Sequence, residues 1–66
     1  MHTENHSEDA QLFESAELAQ SAIASEFVRK PLYRLIMRYS VVSLDGYFAV
    51  EIRNGRNQFL AYFNTD

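Results

Sequence analysis

The hydrophobic and polar positions from Leu32 to Phe63 alternate in a way that predicts three consecutive strands. Two dipeptides, Asp45-Gly46 and Asn54-Gly55, separate runs that are rich in β-branched and aromatic residues. Asp, Asn and Gly accept positive φ at low cost, so these dipeptides are typical of tight hairpin turns. The segment therefore predicts an antiparallel meander with the second strand in the centre.

Side chains on a strand alternate between two faces, so the meander should have one face toward a core and one away from it. The predicted core face comprises Tyr33, Leu35, Met37, Tyr39, Val41, Phe48, Val50, Ile52, Phe59, Ala61 and Phe63. The opposite face combines arginines, tyrosines and aliphatic side chains. It is the candidate interaction face, and its residues are Arg34, Ile36, Arg38, Tyr47, Arg53, Arg56, Leu60 and Tyr62.

The length of the first turn decides which residues of strands one and two are paired. The turn comprises either Asp45-Gly46 alone or residues 43–46, and both lengths keep the two apolar faces together. We favour the longer turn, because it places Arg38 opposite Glu51, whereas the shorter one places Arg38 opposite Arg53. For the second hairpin, a two-residue turn at Asn54-Gly55 is predicted.

The two-residue second turn fixes the predicted register of strand three. It pairs Arg53 with Arg56 and Val50 with Phe59, which leaves the apolar residues of the strand on the core face. Strand three, residues 57–63, carries no charge and no proline. Because it is an edge of the sheet, we expect it to be paired or covered in a dimer.

Residues before the sheet predict one amphipathic helix that ends at Pro31. Ser15 or Asp9 is the candidate N-cap, and Arg29 and Lys30 suit the negative end of the helix macrodipole. The apolar stripe comprises Leu12, Ala16, Leu18, Ala19, Ala22, Ile23 and Phe27, while Glu14, Gln20, Ser21, Ser25 and Glu26 should lie mostly on the solvent side. The predicted fold class is α+β, a two-layer αβββ arrangement with one N-terminal helix packed on a three-stranded antiparallel meander.

Composition divides the chain into a polar tail, residues 1–9, and one αβββ domain, residues 10–66. The tail is expected to be disordered, because it has almost no apolar group to bury. It holds both histidines, His2 and His6, beside acidic residues, so a metal-binding arm is an alternative. Metal sites, however, need ligands held by a fold, and we expect neither a metal nor a cofactor.

Charge is segregated along the chain, and cysteine is absent. Residues 1–26 carry six acids and no base, whereas residues 27–64 carry six bases and two acids. This pattern fits an anionic partner, or simply an acidic helix that suits a basic sheet. The lack of Cys excludes disulfides and fits a reducing cytoplasm. No apolar run approaches the roughly 20 residues of a membrane span, so we expect a cytoplasmic protein with no membrane partner.

The predicted domain offers little catalytic chemistry. It has no His and no Cys, and its carboxylates beyond residue 26 are Asp45, Glu51 and Asp66. Asp45 is explained as a turn residue and Glu51 as a cross-strand partner, so no general base is left beside a nucleophile. Gly46 and Gly55 lie in hairpins rather than in a phosphate-binding loop. We therefore predict no catalytic residue and no enzyme.

The candidate interaction face leaves more than one function open. Tyr and Arg are enriched at protein interfaces, while basic and aromatic groups together also suit single-stranded nucleic acid. Because aliphatic side chains have no use for a phosphate backbone, we favour a non-enzymatic protein–protein interaction module. We expect a homodimer of the type found among small bacterial or phage accessory proteins. Single-stranded nucleic-acid binding is the first alternative, and a toxin-like ribonuclease is the second.

Two families share parts of this pattern. A helix followed by three antiparallel strands is similar to the first four elements of a double-stranded RNA-binding domain, whose second helix has no counterpart here. The segment from Tyr33-Arg34-Leu35 through Asp45-Gly46 to Ile52-Arg53 resembles the meander of small ribosome-dependent or gyrase-poisoning toxins. Both likenesses are generic to small meanders and transfer no functional residue, so no family is assigned.

Overall fold

The protein consists of one helix packed on one face of a three-stranded antiparallel sheet, in a computed structural model that describes residues 10–64. The predicted two-layer α+β fold is thereby confirmed. The elements are α1 (Ala16–Arg29), α2 (Tyr33–Ile36), β1 (Met37–Leu44), β2 (Tyr47–Asn54) and β3 (Phe59–Tyr62), and the sheet order is β1-β2-β3. The predicted tail, residues 1–9, lies outside the described residues.

Helix α1 begins at the Ser15 N-cap, one of the two predicted candidates. The Ser15 hydroxyl oxygen accepts a hydrogen bond from the Leu18 backbone N–H at 3.2 Å. At the other end the Lys30 N–H donates to the Glu26 carbonyl at 2.8 Å, and Pro31 follows. Because the helix starts only after Ser15, helical spacing does not extend to Leu12, which is 45% exposed, so its predicted place in the apolar stripe was wrong.

The residues before α1 are extended and add to the pairing of β2. Phe13 forms an antiparallel bridge with Phe48, in which each N–H donates to the other residue's carbonyl, at 2.7 and 2.9 Å. The Gln11 N–H donates to the Phe63 carbonyl at 3.1 Å. Phe13 is therefore buried and occupies the place in the core that the helical spacing predicted for Leu12.

The core lies between α1 and the sheet. Its buried residues are Phe13, Ala19, Ile23, Val50 and Phe63, and Ala22, Phe27, Tyr39, Val41, Phe48 and Ile52 pack against them. The rings of Phe27 and Tyr39 meet edge to face with centroids 4.9 Å apart. Ala19 is completely buried, so its small side chain lets the helix axis approach the aromatic face of the sheet closely.

Residues 33–36 form one helical turn, and the prediction that the first strand begins there was wrong. The Arg34 N–H donates to the Pro31 carbonyl at 3.3 Å, and the Leu35 N–H donates to the Leu32 carbonyl at 3.0 Å. Proline has no N–H to leave unpaired and a φ suited to a helical turn, so Pro31, just before the Leu32 N-cap, leads into α2 as well as ending α1. Tyr33 and Leu35 consequently lie outside the predicted sheet face.

The first hairpin has the two-residue turn, so our preference for four residues was wrong. Leu44 pairs with Tyr47, and Asp45 and Gly46 have φ values of 54° and 81°. Positive φ at both central residues is the requirement of a type I′ turn, whose twist matches that of the flanking strands. Arg38 therefore lies opposite Arg53 rather than opposite Glu51.

The second hairpin has a three-residue loop, residues 55–57, instead of the predicted two-residue turn. The Asn54 N–H donates to the Gln58 carbonyl at 3.0 Å, and the Asn57 N–H donates to the Asn54 carbonyl at 3.0 Å. The Asn54 side-chain Oδ1 accepts from the backbone N–H of Arg56 at 2.8 Å and of Gln58 at 3.0 Å. Asn57, with a φ of 66°, supplies the left-handed residue that such a loop needs.

A bulge in β3 compensates for this longer loop. A loop of three residues, in place of two, would turn the opposite set of β3 side chains toward the core. The one extra residue in the bulge turns the original set back toward the core. The register shifts between Ile52, opposite Ala61, and Arg53, opposite Phe59. Ala61 and Phe63 therefore keep the predicted face. Phe59 precedes the shift and lies outside the core, so the prediction of Phe59 opposite Val50 was wrong.

Candidate functional site

The sheet surface that faces away from α1 holds six of the eight predicted interaction residues. Arg38, Tyr47, Arg53, Leu60 and Tyr62 lie on the strands, and Arg56 lies in the loop between β2 and β3; we call these six residues the outer sheet surface. Arg34 and Ile36 do not belong to it, because both lie in α2. The predicted interaction face is thus divided between two places in the fold.

Arg53 is held by its own strand and loop. Its Nε donates to Glu51 Oε1 at 2.9 Å, its Nη2 to Glu51 Oε2 at 3.3 Å, and its Nη1 to the Asn57 carbonyl at 2.8 Å. The hydrogen bond with Glu51 raises the pKa of Arg53 above its already high usual value. Arg38 and Arg56 form no ion pair with another described residue, so they are the bases of this surface that remain available to a partner.

The apolar part of the outer sheet surface is centred on Tyr62. Tyr62 lies opposite Glu51, and its ring meets the ring of Phe59 edge to face with centroids 5.2 Å apart. Leu60 and Tyr47 are each 46% exposed, toward different ends of the surface. Because Phe59 and Tyr62 pack against each other, their rings do not form the pair of parallel stacking platforms that successive nucleic-acid bases would use.

A second surface, of which only Ile36 belongs to the predicted interaction face, lies where α1 passes into α2. Val28, Leu32, Leu35 and Ile36 expose 81%, 70%, 79% and 59% of their surfaces, and we call these four residues the junction patch. Clustered exposed aliphatic side chains mark interaction sites far more often than isolated ones do. Pro31 at a helix start, followed by apolar residues spaced three and four apart, is the signal that identifies this patch from the sequence.

A groove of about 460 Å³ runs beside the junction patch. Ile23, Ala24, Phe27 and Val28 form its apolar wall, and Gln20 and Arg34 complete it. Arg34 forms no ion pair with a described residue, so its charge is available at the border of an apolar surface. This arrangement suits a ligand that combines apolar groups with a negative charge.

Glu26 is buried near the end of α1, so its predicted place on the solvent side was wrong. It is 6% exposed because it follows Ala19 and Ile23 on the buried face of α1. Its Oε1 accepts from Arg29 Nη2 at 2.7 Å, and its Oε2 lies 3.6 Å from Lys30 Nζ. Burial, and then the charge of Glu26, raise the pKa of Tyr39 above its usual value. Arg29 and Lys30 are therefore partly neutralised within the fold.

The described part of the chain forms neither a metal-ligand cluster nor a membrane-spanning helix. Among residues 10–64, no three His, Cys, Asp or Glu side chains are grouped so as to hold a metal ion, and the predicted arm at His2 and His6 lies outside this range. Neither α1 nor α2 has the length and apolar character that crossing a bilayer requires. Comparison with protein-family models, curated proteins and solved structures finds no match for this chain.

Proposed function

We propose that this protein is a non-enzymatic interaction module that binds protein through its junction patch, beginning with a second copy of itself. The observation that carries the proposal is the imbalance between buried and exposed apolar side chains. The large side chains that are 45–81% exposed are Leu12, Leu18, Val28, Leu32, Leu35, Ile36, Tyr47 and Leu60, whereas the buried ones are Phe13, Ile23, Val50 and Phe63. Half of the exposed set belongs to the junction patch.

The free energy available at the junction patch supports this proposal. Complete burial of a Val, Leu or Ile side chain contributes about 1.5–3 kcal/mol, so covering the remaining surface of the four residues would contribute roughly 4–9 kcal/mol. A chain of 66 residues is only marginally stable by itself. A partner that covers this patch would therefore contribute as much free energy as the folding stability of the isolated domain.

The charges favour a protein partner over single-stranded nucleic acid. Of the four arginines predicted for the interaction face, Arg53 is bound to Glu51 and Arg34 lies in α2. Two phosphate contacts, by Arg38 and Arg56, would give a salt slope of only about −1.4. The aliphatic junction patch gains nothing from a phosphate backbone. The chain's lack of cysteine suits the reducing cytoplasm that we propose as its location.

Light scattering of the purified chain over a series of concentrations tests the proposal. We expect a dimer mass at high micromolar concentration and a weaker association for Leu35→Gln, because this change places an amide in the covered patch. Leu60→Gln, an equal change in an exposed leucine of the outer sheet surface, is the matched control and should leave the mass unchanged. A monomer mass for the unmodified chain at every concentration would refute self-association.

A further inference from the structure

The exposed side of α1 is a narrow surface with a large apolar side chain at each end. Leu18 is 53% exposed and Val28 is 81% exposed, and Ser21 and Ser25 lie exposed between them. These four positions are spaced by three, four and three residues, which is the spacing of a seam between two packed helices. Serine in the middle of the seam would let a second helix approach closely. Nothing in residues 10–64 covers this side of α1.

Charge is distributed along the same surface with opposite signs at its two ends. Residues 10–26 contain no base, and residues 27–44 contain no acid. Glu14 and Glu17 at the start of α1 form no ion pair with a described residue, and neither does Arg34, which lies beyond its end in α2. The surface therefore has an acidic end with one exposed leucine and a basic end that contains the junction patch.

We infer that two copies of the chain pack with their α1 helices antiparallel about a two-fold axis that passes between Ser21 and Ser25. In this arrangement the acidic end of each α1 surface lies over the basic end of the other copy, which contains the junction patch. Leu18 of each copy then contacts the region of Val28 in its partner. A two-fold axis forms both contacts twice and leaves neither end uncovered. The inference rests on the proposed self-association and adds its geometry.

Other ways of joining two copies fit the surface less well. Parallel helices would place Glu17 beside its own copy, and like charges in contact oppose association. The edge of β3 has only four residues and a bulge, and both features protect a strand from further pairing. The edge of β1 has eight residues and is the main competitor, but pairing through backbone groups there gives no role to the separation of charge along α1.

Single-cysteine variants can locate the two-fold axis, because the chain has no cysteine of its own. A disulfide forms between two copies only where the Cα atoms come within roughly 7 Å. Because the two-fold axis lies between them, Ser21 of one copy faces Ser25 of the other. An equal mixture of the Ser21→Cys and Ser25→Cys variants therefore reports on the α1 seam, whereas Ser40→Cys reports on the middle of β1 and Ala61→Cys on β3. We expect mild oxidation to link this mixture into a covalent dimer many times faster than it links either the Ser40→Cys or the Ala61→Cys variant.

Charge exchange supplies a second measurement that does not depend on the cysteines. Glu17→Lys and Arg34→Glu should each weaken dimerisation several-fold, as measured by analytical ultracentrifugation at low salt. The double variant should recover most of the lost affinity, since an acid and a base again face each other. Asp45→Lys with Arg56→Glu makes the same two charge changes away from α1 and is the matched control. An equal loss and recovery of affinity with this control pair would contradict a specific contact between the two ends.

The outcomes separate the geometry from the proposed function. A dimer mass together with rapid linkage through Ser40→Cys or Ala61→Cys, and none through α1, would overturn the antiparallel seam while self-association stands. A monomer mass with no linkage in any variant would remove both. Monomeric protein that sediments with vesicles of anionic phospholipid, again without linkage through α1, would assign the basic and apolar junction to a membrane surface instead.

Discussion

The two hairpin glycines should respond in opposite directions to replacement by alanine. Gly46 has a φ of +81°, whereas Gly55 does not have a positive φ. A Cβ added at either position meets no atom within 4 Å, so only the backbone conformation distinguishes them. Gly46→Ala forces an L side chain into the left-handed region, at a cost of about 1–2 kcal/mol. Gly55→Ala is free of that strain and restricts the unfolded chain, which contributes about 0.4–1 kcal/mol of stability.

Thermal and urea unfolding, followed by circular dichroism, measure both effects. A change of 1 kcal/mol shifts the Tm of a domain of this size by about 4–8 °C, so the two variants should differ by more than the error of the method. All samples must have the same protein concentration, because the proposed self-association would make the Tm depend on concentration. We expect a lower Tm for Gly46→Ala and a slightly higher Tm for Gly55→Ala.

An equal loss of stability in both variants would refute the argument. It would mean that Gly55 also has positive φ, which is the requirement of the two-residue turn predicted from the sequence. The register would then pair Val50 with Phe59, and the bulge that removes Phe59 from the core would not exist. Asn57 provides an independent check, because its φ of 66° should tolerate Asn57→Gly much better than Asn57→Ala.

Three further predictions concern the buried charge and the partner. Burial, and then the charge of Glu26, raise the pKa of Tyr39, so the native protein keeps a proton that the unfolded chain loses above about pH 10. Stability should therefore fall as the pH rises through this range, and less so for Tyr39→Phe in urea unfolding. Glu26→Gln weakens the bond to Arg29 and should cost about 1–2 kcal/mol in urea unfolding at neutral pH. Labelled single strands should not bind at low salt in an anisotropy titration, because Arg53 is already bound to Glu51.

Each of these three predictions would be contradicted by a specific result. Equal pH profiles for Tyr39→Phe and the unmodified chain would mean that Tyr39 ionises alike in the native and unfolded states. Unchanged stability of Glu26→Gln would mean that solvent replaces the bond to Arg29, whose side chain is 61% exposed. Tight binding of single strands with a steep salt dependence would move the proposed function to nucleic acid.

The faces of the sheet could be predicted from the sequence, whereas the strand register could not. Burial of one face constrains whether the odd or the even positions of a strand point inward. A shift of the strand register by two residues leaves the same positions pointing inward. Asp45-Gly46 formed the type I′ turn that its residues favour. Asn54-Gly55 did not, because the Asn54 side chain binds the next loop residues and Asn57 can take the left-handed conformation. Turn preferences alone do not decide between a two-residue turn at Asn54-Gly55 and a three-residue loop that ends at Asn57.

The errors in the interaction face come from short segments in which two periodicities fit equally well. Residues 33–36 alternate as a strand does, yet they also carry the start signal of a helix in Pro31. Four residues are too few to separate these patterns, so Arg34 and Ile36 were placed on the sheet. Glu26 was assigned to solvent because carboxylates are seldom buried unless they are paired. Its pairing with Arg29 and Lys30 depends on how the helix ends.

The helix that closes the core also explains why so much apolar surface remains outside. Ala19 and Ala22 bring α1 close to the sheet, so the helix buries only a narrow face. The larger Leu18 and Val28 lie on the other side, where the sheet cannot reach them. One three-stranded layer covers only one side of a helix, so the apolar groups on the other side of α1 remain exposed. In the antiparallel dimer that we propose, a second copy of the chain, with the opposite charge at each end, would cover them.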